Sequence, residues 1–235
     1  MSTNTAILLA GGSGNRMRGR VDDKILADLA GKPVIAHSID AFVSSGQVQH
    51  LIIVTRDEAQ QIAIEAIIPQ NSSLIFTRGG AQRQDSVWAG LQAAPAETEI
   101  VLIHDCARPC VTPHAIRESI AQATEIGAAC LAHPVTDTIK SADTYDGAYL
   151  PTTVDRAKLW AMETPQTFQY PIIQGAYKTV IESGTPITDD LSAIEDIDQP
   201  VAFIDNKRPN PKLTTPADLI YLSYLLSNSE PSPCT

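Results

Sequence analysis

Short apolar runs alternate with longer amphipathic ones along this chain, and that rhythm constrains its fold more than any other feature. Thr5–Ala10 (TAILLA), Val48–Thr55 (VQHLIIVT), Ser73–Thr77 (SLIFT), Ile100–His104 (IVLIH) and Ala128–His133 (AACLAH) have the length and apolar density of strands. The first is apolar almost throughout, as expected of a strand buried on both faces. Between these runs, Pro33–Ser44, Ala59–Ile68, Asp85–Ala94 and Thr112–Ile126 repeat apolar residues at helical spacing. The last opens on a capping threonine followed by proline, a normal helix start. Strand–helix–strand order of this kind predicts an α/β fold, with a Rossmann-like, mostly parallel sheet covered by helices on both faces.

The rhythm breaks at Pro134. From there to Asp155 the chain (PVTDTIKSADTYDGAYLPTTVD) is rich in Thr and Asp and carries no helical stripe. Asp146–Gly147 is a hairpin-turn signal inside it, so 134–155 is expected to form an extended β-arm. Loops of this length are usually functional. A helical pattern is read after Arg156 through Val180. Residues 1–226 are expected to make one domain, and 227–235 (SNSEPSPCT from Ser227) a frayed tail.

Composition excludes several classes of function. A formal net charge of −10 gives no general affinity for nucleic acid, because the field of the chain repels phosphate. No apolar run reaches the roughly 20 residues that a membrane-spanning helix needs. The apolar run Ala6–Ala10 is too short for a secretory signal, and no basic region precedes it. Cys106, Cys110, Cys130 and Cys234 form no Cys-x-x-Cys pair, which speaks against zinc and for free thiols. A cytoplasmic protein is expected.

Three loops carry the candidate chemistry, each directly after a strand-like run. Leu9–Met17 (LAGGSGNRM) holds Gly11, Gly12 and Gly14, whose backbone can approach a phosphate closely, and Arg16, which adds charge-assisted donors. No Gly-Lys-Ser/Thr follows, so it is not a P-loop. Met17 stands where a dinucleotide fingerprint needs its third glycine. Arg78–Val87 (RGGAQRQDSV) opens on Gly79–Gly80 and offers Arg83, Asp85 and Ser86. His104–Val111 (HDCARPCV) puts Asp105 at a strand end beside Arg108, placed for a divalent metal, a ribose hydroxyl or an ion pair that fixes the loop. Strand ends are where open α/β sheets bind ligands.

With HPVTDTIK, TVDRAKLWAMETPQTF (Thr153–Phe168), ITDDLSAIE (Ile187–Glu195) and KLTTPADL (Lys212–Leu219), these motifs run in order from Ala6 to about Leu225. The chain resembles the 2-C-methyl-D-erythritol 4-phosphate cytidylyltransferase family of the non-mevalonate isoprenoid pathway. The resemblance implies a nucleotidyltransferase fold that transfers CMP from CTP to the acceptor phosphate, with Mg²⁺ as divalent cation and a homodimeric assembly. It implies that Ala10, Gly11, Gly12, Gly14, Arg16 and Lys24 bind the CTP phosphates, and that Gly80 and Ser86 recognise cytosine and ribose. Asp105 and Arg108 would sit near the metal and the acceptor phosphate. Thr138, Arg156, Thr164 and Lys212 would hold the methylerythritol phosphate. The arm would cross the dimer, so that Thr138 and Arg156 serve the partner's site. Arg16, Lys24, Arg156 and Lys212 are the catalytic set so implied.

The chain departs from the family pattern in places. One extra residue separates Met17 from Lys24, Ile25 replaces a frequent Gln, and Ala81 replaces a frequent acid. Lys207–Pro211 (KRPNP) reads as an insertion and leaves Lys207 as an alternative to Lys212. The acceptor phosphate is already ionised, so positioning and electrostatics suffice without a general base, and His104 is expected to be structural. Competing readings are a ribitol-5-phosphate cytidylyltransferase, a catalytically silent ligand-binding or scaffold protein on the same fold, and a Rossmann dehydrogenase.

Overall fold

The computed structural model describes residues 2–12, 23–68 and 74–228, so Gly14 and Arg16 lie outside the described residues. In chain order the main elements are β1 (Thr3–Leu9), β2 (Asp28–Leu29), β3 (Lys32–Pro33), α1 (Val34–Ser44), β4 (His50–Thr55), α2 (Glu58–Glu65), β5 (Leu74–Arg78), α3 (Arg83–Gln92), β6 (Thr98–Asp105), α4 (Pro113–Ile126) and β7 (Ala128–Pro134). There follow β8 (Lys140–Tyr145), β9 (Ala148–Thr153), β10 (Trp160–Gln169), α5 (Tyr170–Ser183), β11 (Ala202–Asp205) and α6 (Pro216–Ser227).

Seven strands form the central sheet in the order β11-β7-β10-β6-β1-β4-β5. All neighbours pair in parallel except β10, which runs antiparallel to both β6 and β7. The period-two alternation of each strand feeds two cores. Ala6 and Leu8 of β1 face a layer with Ile35, Ile39 and Phe42 of α1, Ile64 of α2 and Ile116 and Ile120 of α4. Ile7 faces the opposite layer, with Val87 and Leu91 of α3 and Ile173 and Tyr177 of α5. Helices therefore cover both faces, as the sequence rhythm predicts.

Local signals set the helix ends. Thr112 caps α4 by accepting from the Ala115 amide at 3.2 Å, with Pro113 at the first helical position. Asp57 caps α2 by accepting from the Gln60 amide at 2.8 Å.

The helical pattern expected from Arg156 through Val180 is corrected in its first half. Trp160–Gln169 (WAMETPQTFQ) is a strand, and only Tyr170–Ser183 is helical. Pro165 gives the reason. It would remove an internal helical hydrogen bond and disfavours the α conformation at Thr164. Glu163 to Phe168 are buried between β6 and β7, which makes the segment a central strand.

The arm is present as a hairpin. β8 and β9 pair antiparallel in a sheet of their own, in register from Lys140↔Thr153 to Tyr145↔Ala148. Asp146 (φ 43°) and Gly147 (φ 75°) make the two-residue turn, with both backbones in the left-handed region that Asp and Gly tolerate. Every residue of β9 is exposed, Tyr149 and Leu150 among them.

Candidate active site

Strand order reverses at β1: the chain builds outward through β4 and β5, then returns to lay β6 on the other side. Loops after β1 and β6 diverge there, and ligands of open α/β sheets bind at such a switch point. The loops after β1, β5 and β6 line a cleft of about 330 Å³ that includes Ala10, Gly11, Gly12, Lys24, Gly80, Arg83, Ser86, Asp105 and Lys212.

The glycine loop is tight against its surroundings. The Ala10 amide donates to the Val54 carbonyl at 2.9 Å, which continues the β1–β4 pairing into the loop. A Cβ on Gly12 would lie 3.6 Å from Lys24 Cε and 3.8 Å from its Nζ, so the lysine side chain passes over the loop backbone. Lys24 Nζ also donates to the Leu213 carbonyl at 3.3 Å. Asp23, beside it, accepts from Gln60 Nε2 at 2.6 Å and lies 3.4 Å from an Arg56 guanidinium nitrogen. Asp23 is thus tied to α2, and Lys24 beside it lines the cleft.

On the β5 side, the Gly80 amide donates to Ser86 Oγ at 3.2 Å, and Asp85 accepts from the Gln82 amide at 2.9 Å. A Cβ on Gly80 would come within 2.3 Å of Asp85 Cβ, so only glycine lets the turn close onto the first turn of α3. The N-terminus of α3 therefore opens into the cleft, where its amides favour anions.

Asp105 ends β6 and is nearly buried. Lys212 Nζ donates to its Oδ2 at 2.5 Å, and Arg83 Nε to its Oδ1 at 3.4 Å. Burial opposes its charge, but Arg83 and Lys212 outweigh it and hold the carboxyl well below the usual carboxylate range. Arg83 is held protonated against burial by Asp190. Lys24, Arg83 and Lys212 face one carboxylate among the charged residues lining the cleft, which is the local excess of positive charge that a phosphorylated ligand needs in an acidic chain.

Lys212 reaches this place because the chain after β11 returns across the molecule. The Leu213 amide donates to the Ala107 carbonyl at 2.7 Å, and Leu213 packs with Leu29, Val34 and Leu222. Lys207 instead pairs with Asp205 and is mostly exposed, away from the cleft.

Other residues singled out in the sequence take different places. Thr164 is buried, and its hydroxyl accepts from the Asp105 amide at 3.2 Å and lies 3.0 Å from His104 Nδ1. His104 is fully buried, with Nε2 3.4 Å from Ser38 Oγ, and burial lowers its pKa to about 4. It is neutral and structural. Arg108 donates to the Asn210 carbonyl at 2.8 Å and to the Met162 carbonyl at 3.4 Å, lining a neighbouring hollow with His133 and Glu163. Thr138 and Arg156 are exposed at the base of the arm, where Arg156 bonds the Thr136 carbonyl, and neither lines the cleft. Sequence reasoning gave Asp190 no role. Its signal was available in the ITDD segment, but only the fold shows what that carboxylate holds.

Among the described residues no group of three or more His, Cys, Asp or Glu is placed to hold a metal by itself. Asp105 nonetheless has the chemistry of a Mg²⁺ ligand, since it is a carboxylate kept ionised at a phosphate-binding cleft. Mg²⁺ usually takes one or two carboxylates together with substrate phosphates. No helix among the described residues is long and apolar enough to cross a membrane.

A mostly parallel sheet with a cationic, glycine-lined cleft at its switch point defines the class as an α/β protein built to bind a phosphorylated ligand. The family model described as 2-C-methyl-D-erythritol 4-phosphate cytidylyltransferase matches residues 4–228, and the chain belongs to that family. A protein of that name from Desulforamulus reducens is 37% identical over 229 residues, covering 96% of this chain and 97% of the relative. Another of that name, from Shouchella clausii, is 39% identical over 227 residues, covering 96% and 97%. The crystal structure of a 4-diphosphocytidyl-2C-methyl-D-erythritol synthase from Anaerococcus prevotii superposes with a TM-score of 0.83 at 26% identity, covering 97% of each chain.

Proposed function

We propose that this chain transfers CMP from CTP to 2-C-methyl-D-erythritol 4-phosphate, giving 4-diphosphocytidyl-2-C-methyl-D-erythritol and pyrophosphate. The observation that carries the reading is the meeting of Lys24, Arg83, Asp105 and Lys212 in one cleft beside the glycine loop. Family membership favours methylerythritol phosphate over ribitol 5-phosphate as acceptor, and a working transferase over a silent scaffold.

The chemistry needs position and charge. An oxygen of the acceptor phosphate forms a bond to the α-phosphorus of CTP, and the bond from that phosphorus to the β-phosphate bridge breaks. Pyrophosphate leaves with the electron pair. The nucleophile is already ionised, so no base is needed, which agrees with a His104 that is buried, neutral and out of reach. Ala10, Gly11, Gly12, Gly14, Arg16 and Lys24 hold the triphosphate, and Gly80 and Ser86 take the cytidine. Arg108, Thr164 and Lys212 serve the acceptor side. Asp105 would hold a Mg²⁺ ion, which would supply neutralisation of the charge that develops on the phosphate oxygens.

The working form we propose is a cytoplasmic homodimer. Free Cys106, Cys110 and Cys130, kept protonated by burial (Cys110 pushed up to about 11), suit a reducing compartment. The exposed hairpin with Tyr149 and Leu150 suits a partner surface, which would bring Thr138 and Arg156 to the other subunit's cleft.

The test is pyrophosphate release with CTP and each acceptor in turn, with and without chelator. Release with CTP and methylerythritol phosphate, abolished by chelator, is expected. Faster release with ribitol 5-phosphate would move the substrate assignment, and none with either acceptor would leave a binding protein.

A further inference from the structure

We infer that Asp190, seated by Tyr177 and Gln166, is a positioning residue that aims Arg83 at Asp105 across the floor of the cleft. The inference rests on the transferase reading above and adds a residue set to it.

Arg83 sits in the first turn of α3 with its side chain about one-third exposed, half in the cleft. Its two terminal nitrogens donate to Asp190, Nη1 to Oδ1 at 2.8 Å and Nη2 to Oδ2 at 2.7 Å. Such a two-pronged contact fixes the plane of the guanidinium as well as its position. With that plane fixed, Nε is left facing Asp105 Oδ1 at 3.4 Å, while Lys212 occupies the other oxygen. Three of the five guanidinium N–H donors are then engaged, leaving two for a ligand oxygen.

Asp190 is itself held from two sides. Its side chain is fully buried, and the Tyr177 hydroxyl of α5 donates to Oδ1 at 2.5 Å. Gln166 of β10 accepts from the backbone amides of Asp190 at 2.9 Å and Leu191 at 3.0 Å, and its own amide donates to Asp189 at 2.9 Å. Gln166 pairs with Ile103 on β6, two residues before Asp105. The whole chain of contacts is thus built on the strand that carries Asp105. A buried ion pair is weak evidence for stability, because desolvation of both charges offsets their attraction. What this one provides is orientation at the cleft.

The experiment is steady-state kinetics of the full-length protein with CTP and methylerythritol phosphate, with melting temperatures recorded alongside. Wild-type turnover is established first, so that absence of any activity counts against the transferase reading and not against this one. Asp190→Asn keeps the size and loses the charge. Arg83→Lys keeps the charge and loses the fork. Each is expected to lower kcat about 100-fold, the cost of misplacing a reacting group by about 1 Å, with little change in the KM for CTP. The double variant is expected to be no slower than the worse single one, because both break the same contact. A folded Asp190→Asn protein with wild-type kcat, a loss confined to KM, or losses that multiply in the double variant would each overturn the inference. Should Asp190→Asn fail to fold, Tyr177→Phe, which removes only the hydroxyl, takes its place. A smaller fall in kcat supports the inference, and wild-type kcat overturns it.

Discussion

At the residue scale, the site depends on a few charges held in fixed geometry. Lys24 crosses the glycine loop, and Arg16 belongs to the same motif, although it lies outside the described residues. Replacing either by alanine should lower kcat by about 10²–10³, the usual cost of one preorganised donor in the transition state, and leave the melting temperature nearly unchanged. Near-normal turnover in one of them would remove that residue from the mechanism. His104 makes a different residue-scale prediction. Burial holds its folded pKa at about 4, below the ordinary histidine value of 6.5. Between those values the unfolded chain binds the proton and the folded one does not, so stability falls as pH drops through this window, by about 1.4 kcal/mol per pH unit. Above pH 6.5 the group contributes no slope. Asp105, whose pKa is depressed, loses its own contribution only at lower pH, as the solution passes below the ordinary carboxylate range. Urea unfolding from pH 7 to 4.5 should show the slope in wild type and a shallower one in His104→Gln. Equal slopes would mean that other groups control the acid limb.

At the element scale, recognition depends on where α3 sits against the sheet. It carries Arg83 and Ser86, and it packs unusually close to the sheet. A Cβ on Gly90 would come within 2.5 Å of Ile7 Cγ2 and 3.3 Å of Val54 Cγ2. Gly90→Ala gains helix propensity worth about 1 kcal/mol but overpacks the core by about 1–3 kcal/mol. The helix should shift outward, lowering stability and carrying Arg83 away from Asp105. Calorimetry and kcat check both halves. A Gly90→Ala protein more stable than wild type, with unchanged kinetics, would show that the sheet yields instead of the helix.

At the scale of the whole molecule, the hairpin β8–β9 is the part a single chain leaves without a surface to cover it. An isolated hairpin is marginal in water, and a closed two-fold pair is the commonest remedy. If the arm crosses over, each site draws Lys24 and Lys212 from one chain and Thr138 and Arg156 from the other. Mixing inactive Lys24→Ala with inactive Arg156→Ala protein and allowing subunits to exchange should restore about a quarter of wild-type activity. Random pairing makes half the dimers mixed, and each mixed dimer has one undamaged site. No recovery, with exchange confirmed by mass, would mean that each site is built from one chain.

The sequence by itself determined whatever depends on local pattern. Continuous apolar runs gave the strands of a sheet buried on both faces, and Asp146–Gly147 gave the hairpin turn, because both are properties of neighbouring residues. Glycine loops after β1 and β5 marked the cleft for the same reason. Helical spacing misled at Trp160–Gln169, where Pro165 was the legible objection and burial between two strands decided the outcome. Only the tertiary structure could choose Lys212 over Lys207, since only four residues lie between them and it is the Leu213–Ala107 contact that brings one ammonium to Asp105. Likewise Arg83, Gln166, Tyr177 and Asp190 lie apart in sequence and meet only because α3 and α5 pack on one face of the sheet that contains β10. Spacing along a chain encodes no distance across a sheet, so contacts of that kind become visible only once the layers have closed.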